Sequence, residues 1–437
     1  MKLLSFTEYV NENYNVDVAD FILEGGAFGH MSHPYDDTSL TFTQIKDIID
    51  QALQGQLNKE VESTEKLDGQ AIAISWRDGH LVAARNKGDR KNGGAAAMTV
   101  QQVIDKFAGR GDLSDGFTFA IEDLESAISK VSAKDRDLIF KDGYAFMHLE
   151  VIYPPSTNVI NYDAPHLIFH SATTYDEEGN PVSDDKEAAN TLQKLIKGVN
   201  SDIQKHYVIR PPAVIDMPKV IDFEKNQARF MKIVDKIQKK WSLSATDTIG
   251  DYIYKEWESF LEKKAQSLDL EVEVAEEKIP LLIKRFGFYD NGYSVGNMKK
   301  DFKESPKFLK WVVGFAKKEF KQVGKDYIQP IEELFLSLGV EVLKNATGYL
   351  AANPDKVVQD IKKQLEDLQK QIEKSGDLTL MHKMKYQLSR LQAIGGFDAI
   401  LPTEGIVFQY NGKTYKLTGA FASVNQILGT LKYSMQK

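Results

Sequence analysis

The chain has 437 residues, room for roughly two or three domains of ordinary size. At 42% hydrophobic and 27% charged it has the profile of a soluble globular protein, and no apolar run approaches the roughly 20 residues of a membrane span. The absence of cysteine excludes disulfides and thiolate metal sites, and a net charge of -8 argues against coating nucleic acid everywhere while leaving room for a local basic groove.

Residues 1–39 read as a leader and loop. The opening MKLLSFTEYVNENYN lacks the long apolar core and small-residue cleavage site of a secretory signal. After Phe21-Ile22-Leu23-Glu24 comes a turn-rich stretch, GGAFGHMSHPYDD. His30 and His33 within it could suggest a metal pair, but no third ligand is evident, so the stretch reads as a structural loop.

Residues 40–216 read as mixed α and β. Ile45, Ile48, Ile49 and Leu53 give helical spacing over 43–57. A strand over 71–76, a turn at Arg77-Asp78-Gly79-His80 and a return over 81–85 form a hairpin. A helix is expected at 98–107, and strands at 144–153, 166–173 and 206–215.

Over 217–396 helical patterns take over, at 222–241, 249–267 and 306–322. Val358, Ile361, Leu365, Leu368 and Ile372 then step at helical intervals, Ser375-Gly376-Asp377 breaks the run, and Met381, Met384, Leu388 and Leu391 resume it. This predicts an antiparallel helical hairpin. Residues 397–437 return to strands, with a tight hairpin at Asn411-Gly412. The helical block is therefore expected to be an insertion in one α/β domain made of 40–216 plus 397–437.

The chemistry centres on Lys66, in Ser63-Thr64-Glu65-Lys66-Leu67-Asp68-Gly69-Gln70, just before a strand. An ordinary lysine, with a pKa near ~10.4, must lose its proton to become a nucleophile, and nearby cations or a metal assist that. Asp68-Gly69 is expected to turn the chain so that Lys66 is presented at a strand edge. Arg85 ends the returning strand, though it also belongs to a basic run with Lys87, Arg90 and Lys91. Glu150 lies inside an apolar strand, an expensive place for an unpaired carboxylate. Phe169 sits in another apolar strand, and Glu404 and Lys416 bracket the last hairpin.

In this order the residues resemble the covalent nucleotidyltransferase superfamily of ATP-dependent DNA ligases, RNA ligases and mRNA capping enzymes. Lys66-Leu67-Asp68-Gly69 resembles its nucleophile motif, preceded here by Glu65. Arg85 is similar to the arginine that contacts the nucleotide, Glu150 to the acidic residue of the third motif, and Phe169 to the aromatic that stacks on the base. Glu404-Gly405-Ile406-Val407-Phe408 resembles the fourth motif and Lys416 the fifth.

The resemblance implies an α+β nucleotidyltransferase fold, with ATP-grasp-like antiparallel sheets and helices, interrupted by a large all-α insertion. It implies a lysyl-AMP on Lys66, with ATP and Mg2+ (or Mn2+) as cofactors and Glu150 and Glu404 as metal or ribose ligands. The family often carries two lysines two residues apart in the fifth motif. Here Lys413 and Lys416 are three apart and so face opposite ways, and Lys416 is the preferred one.

DNA ligases of this superfamily usually place an oligonucleotide-binding barrel after the fifth motif, whereas only residues 417–437 follow here. The resemblance thus points to nucleic acid as partner, RNA before DNA, although a helical block between the third and fourth motifs is unusual for RNA ligases. A nucleotide-binding protein without ligase activity is the reading from another class. Lysines from Lys299 to Lys325 interleave with Phe302, Phe308, Trp311, Phe315 and Phe320, either as an amphipathic helix with a solvated basic face or as a nucleic-acid-contacting face. Asn92-Gly93-Gly94 could form a phosphate-contacting turn, and His148 and His170 read as packed. The leader, with Ile22-x-Glu24 before Gly25, resembles the capsid-targeting peptides of internal head proteins in large tailed bacteriophages, which implies a host-cytoplasmic protein packaged in a phage head.

Overall fold

The computed structural model describes residues 32–67, 69–156, 165–199, 206–212, 214–215, 217, 219–317, 319–349, 356–375 and 405–421. The leader, Asp68, Glu404 and the second limb of the expected helical hairpin lie outside the described residues.

The fold is mixed α+β, with two antiparallel sheets and a largely helical central region. Helix α1 (Phe42–Gln54) starts at a capping box in which Thr41 and Gln44 satisfy each other's backbone, and ends on Gly55 at φ 71. Three strands follow, β1 (Thr64–Lys66), β2 (Gln70–Arg77) and β3 (His80–Ala84). Beyond the kinked α2 (Lys87–Gly94), β4 (Met98–Thr99) leads directly into α3 (Val100–Phe107). The expected helix at 98–107 is thus a short strand and a helix, because Thr99 acts as the N-cap and accepts from Gln102 N.

Helices α4 (Asp112–Ser129) and α5 (Ala133–Phe140) precede β5 (Ala145–Ile152) and β6 (His166–Tyr175). Then come β7 (Pro181–Asp185), α6 (Lys186–Val199) and β8 (Val208–Arg210). The central region holds α7 (Phe223–Lys240), α8 (Ile249–Ser267), α9 (Val272–Gly287), α10 (Val295–Asp301), α11 (Pro306–Phe315) and α12 (Glu319–Tyr349). After α13 (Lys356–Ser375), the described chain ends on β9 (Gly405–Tyr410) and β10 (Lys413–Thr418). The expected helix at 306–322 is divided between α11 and α12.

The larger sheet runs β4-β3-β2-β5-β6-β7, with β8 beside β6 in parallel. One of its faces carries Ile72, Ile74, Met147, Leu149, Leu167 and Phe169, which pack with α3, α4, α5 and α6. The smaller sheet runs β1-β9-β10, so strands on either side of the long helical segment pair with each other. One of its faces, with Ile406, Phe408, Tyr415 and Leu417, packs on α1, α7 and α12.

The helical region is not insulated from this sheet. Phe230, Leu334 and Leu343 share one core with Phe42 and Phe408 and so cross the expected boundary at residue 217. A second core forms around Trp257, Phe286, Phe308 and Phe315. Helix α12 contributes Phe320 to that core and Ile331 onward to the first, so it joins the two. No helix among the described residues is long and apolar enough to cross a membrane.

Leu343 is fully buried at this junction. Leu343→Ala is expected to cost about 2–5 kcal/mol of unfolding free energy, read by denaturant titration. A loss below about 1 kcal/mol would show that α12 does not couple the sheet to the helices.

Candidate active site

Lys66 is the last residue of β1, and pairing decides its company. Across the small sheet, Thr64 aligns with Val407 and Lys416, and Lys66 with Gly405 and Thr418. Side chains alternate along a strand, so Lys66, Thr64, Val407 and Lys416 share one face. Lys416 stands two strands from β1, about 10 Å across the sheet. Lys413 points the other way, and its Nζ donates to Asp37 Oδ2 at 2.9 Å.

Gly405, opposite Lys66, has no room for a side chain, because a Cβ there would come within 1.9 Å of the Leu417 carbonyl oxygen.

The large sheet supplies the opposing wall. Lys66 Nζ lies 3.7 Å from Glu150 Oε1 in β5, and Leu67 packs with Ile152 and Ile168 below them. Gly69 allows this approach, since a Cβ would meet Glu150 Cβ at 3.0 Å and Ile152 Cγ1 at 3.1 Å. The turn expected at Asp68-Gly69 falls partly outside the described residues; Gly69, whose φ is not in the left-handed region, supplies close packing of backbone on Glu150.

Burial by itself would raise the Glu150 pKa. The Lys66 charge, together with that of His170, outweighs it and holds the carboxyl below its ordinary value. Glu150 is thus an ionised, largely buried carboxylate. Its Oε2 has no hydrogen-bond partner among the described residues, with His170 Nε2 at 3.8 Å.

His170 reaches this face because of a register shift. Leu149 pairs with Phe169, but His148 pairs with Ser171, which leaves His170 as the extra residue of a bulge. Phe169, expected to stack on a base, is 1% exposed and packs in the helix-covered core on the other face. It offers no ring to a ligand at Glu150.

Beyond His170, the buried His148 accepts or donates a hydrogen bond with Tyr175 Oη at 3.0 Å. Burial, then the charges of Arg90 and His170, hold His148 well below the ordinary histidine value, so it is neutral. Arg90, in the basic run after Arg85, is 5% exposed and lies over the Tyr175 ring at 4.8 Å. Arg85 holds its guanidinium over Phe107 at 5.3 Å and Phe117 at 6.0 Å, against the helix-covered core. In the Asn92-Gly93-Gly94 turn, the Asn92 and Gly93 carbonyls accept from Arg77 Nη1 at 2.8 and 2.7 Å.

Glu65 alternates away from Lys66. Its carboxylate is 4% exposed and accepts a short hydrogen bond from Arg210 Nη1 of β8, which ties the two sheets together. Asp68 and Glu404 fall outside the described residues, so the expected metal pair reduces to Glu150 there.

The loop before α1 also enters the site. Ser32 bridges Tyr415 in parallel, and Lys416 N donates to Ser32 O at 3.1 Å. His33 follows in extended conformation (φ -72, ψ 157) and stacks on Tyr35 at 4.6 Å. Burial, then the charge of Lys416, lowers His33 to about 3, with Lys66 adding to the effect. Nothing in the sequence around His33 signals this neighbourhood, because the contact spans most of the chain.

In the helical region Phe302, Phe308, Phe315 and Phe320 are buried, while Lys299, Lys300, Lys303, Lys307 and Lys310 are exposed, which is the amphipathic arrangement with a solvated basic face. Lys307 pairs with Asp269 at 2.8 Å. Comparison of the chain with known protein families, curated proteins and solved structures gives no match.

Two outcomes follow from these charges. Arg210→Met should destabilise by about 3 kcal/mol, since it strands a buried carboxylate, whereas Arg210→Met with Glu65→Leu should recover most of the loss in the same melt. Equal stability of the single and double variants would contradict the pairing. Secondly, His33 is lowered to about 3, His166 to about 4, and His148 in the same direction, all from 6.5. As pH falls below that ordinary value the unfolded chain takes up protons that the native state refuses, so stability drops until the native groups titrate. The melting temperature should fall steadily from about pH 7 to about pH 5; a flat profile would rule out buried neutral histidines.

Proposed function

We propose that the chain is an ATP-dependent polynucleotide ligase of nucleotidyltransferase fold with an all-α insertion, acting through Lys66 and preferring RNA ends to DNA. One observation carries the reading: Lys66 stands 3.7 Å from a largely buried, ionised Glu150 and on the same sheet face as Lys416. A solvated turn lysine would need neither neighbour.

Lys66, once deprotonated, attacks the α-phosphorus of ATP. A nitrogen–phosphorus bond forms, the α–β phosphoanhydride bond breaks, and pyrophosphate leaves with the electron pair. Lys416, on the same sheet face, raises the cost of keeping a proton on Lys66 and offsets negative charge on the phosphoryl group. Glu150 Oε2 is a buried acceptor suited to a ribose hydroxyl or a cation. Among the described residues no three His, Asp or Glu side chains converge on a metal cage. A Mg2+ carried by the phosphates, with Glu150 as its protein oxygen, fits that donor set and would neutralise charge on the leaving group. Transfer of AMP to a 5′-phosphate and attack by a 3′-hydroxyl complete the ligation.

Incubation with ATP labelled at the α-phosphate tests this. Label should remain on the denatured wild-type protein and be absent from Lys66→Ala. Glu150→Gln should slow labelling roughly 10- to 100-fold, the worth of a charge-assisted hydrogen bond. An unlabelled wild-type protein with Mg2+ or Mn2+ present would refute the mechanism. Single-stranded RNA, broken hairpin RNA and nicked DNA then separate the acceptors, and sealing of nicked DNA alone would overturn the RNA preference.

A further inference from the structure

We infer that Phe288 and Tyr289, with the lysines beside them, form a docking surface for single-stranded RNA on the helical region. The choice of RNA rests on the ligase reading, whereas the surface itself is read from charge and exposure.

Charge is segregated along the chain. From Lys278 to Lys325 there are twelve lysines and arginines and four acids, a net of +8 in a chain whose net charge is -8. A positive region on an acidic protein favours a polyanionic partner. The rings that interleave with these lysines, Phe302, Phe308, Phe315 and Phe320, are buried and offer no face to a ligand.

Two other rings do. Helix α9 ends at Gly287, and the chain turns through Phe288 and Tyr289, which are 37% and 59% exposed. Tyr289 has φ 55, in the left-handed region where glycine or asparagine usually follows a helix cap and a bulky residue is rare. Hydrogen bonds fix the turn. Asp290 N donates to Lys284 O at 3.0 Å, Gly292 N donates to Asp290 Oδ1 at 2.8 Å, and Arg285 Nη1 donates to Asn291 Oδ1. An exposed ring on a fixed turn presents a stacking face at little cost in freedom.

Cations flank the rings from two helices. Lys284 and Arg285 stand in the last turn of α9. The Tyr289 ring lies 5.9 Å from Phe320 of α12, and its Oη would be 3.9 Å from a Cβ on Gly324. Phe320 and Gly324 are one helical turn apart, and the next row around α12 holds Lys321 and Lys325, both exposed. The acids alongside are engaged locally, Asp290 with Gly292 N and Asp326 with Gln322 Nε2. Exposed rings between lysines suit unpaired bases on a phosphate chain. A duplex keeps its bases stacked on one another, and an acidic peptide would use the lysines without the rings.

Fluorescence anisotropy of labelled oligouridine with the full chain, in the absence of ATP, tests the inference without catalysis. Tyr289→Ala should weaken binding about tenfold, the worth of one stacked base, and Tyr289→Phe should retain it. Tyr289→Gly removes the ring and accepts the left-handed backbone, so it should bind as weakly as Tyr289→Ala while melting no lower. Replacing Lys321 and Lys325 by Gln should reduce the slope of log affinity against log salt by about 0.7 per lysine. Wild-type affinity in Tyr289→Ala, a loss in Tyr289→Phe as large as in Tyr289→Ala, or losses that follow melting temperature instead of the presence of the ring would each overturn the surface. So would an equal loss for duplex RNA, whose bases present no free face, and tighter binding of oligothymidine would overturn the choice of RNA. Lys66 labelling does not involve these residues, so the ligase reading can fail while oligouridine binding through Tyr289 stands, and the reverse can also hold.

Discussion

A carboxylate inside a strand must be neutralised where it stands or it destabilises the fold. Glu150 occupies such a position in β5, and its charge is balanced by Lys66 from another sheet. That pair can form only if β1 is held against the large sheet. Gly69 permits the close approach, Leu67 fills the space beneath, and Arg210 with Glu65 clamps β1 to β8. Much of the architecture around the site can be understood as the support of one buried charge pair.

The small sheet is the other half of that support. Its strands come from both sides of the helical region, so pairing β9 with β1 closes a long loop. Burial of Phe408 and Tyr415 against α1, α7 and α12 gives the pairing its driving force. The helices are therefore more than an appendage, because they cover the rear of the sheet whose front presents Lys66 and Lys416. The separate core around Trp257 meets the start of α12, at Phe320, and the exposed lysines of the helical region lie on its elements.

Neutral histidines recur around the lysines. His33 and His148 are both prevented from charging by burial and by neighbouring cations. They allow hydrogen bonding close to Lys66, Lys416 and Arg90 without adding positive charge. The positive charge there is concentrated on a few side chains.

The element types were largely legible in the sequence where one period dominated. Ile45, Ile48, Ile49 and Leu53 marked α1, the alternation at Ile72 and Ile74 marked β2, and Asn411-Gly412 marked the last hairpin, since periodicity and turn chemistry are local properties. Helices α4 and α6 went unread, although α6 buries Ala189, Leu192 and Ile196 at helical spacing. At the site, the types Lys66, Glu150 and Lys416 could be named from order and spacing, and the odd separation of Lys413 from Lys416 already implied opposite faces. The choice between neighbours was beyond local reading. A bulge in β6 turned His170 toward Glu150 and left Phe169 in the core, and a bulge depends on the partner strand. His33 entered the site through pairing with β10, several hundred residues away in the chain. The sequence by itself determined which chemistry-bearing residues were present and the period of the strands that hold them. Only tertiary pairing decided which faces meet, because register between distant strands is set by packing that no local pattern encodes.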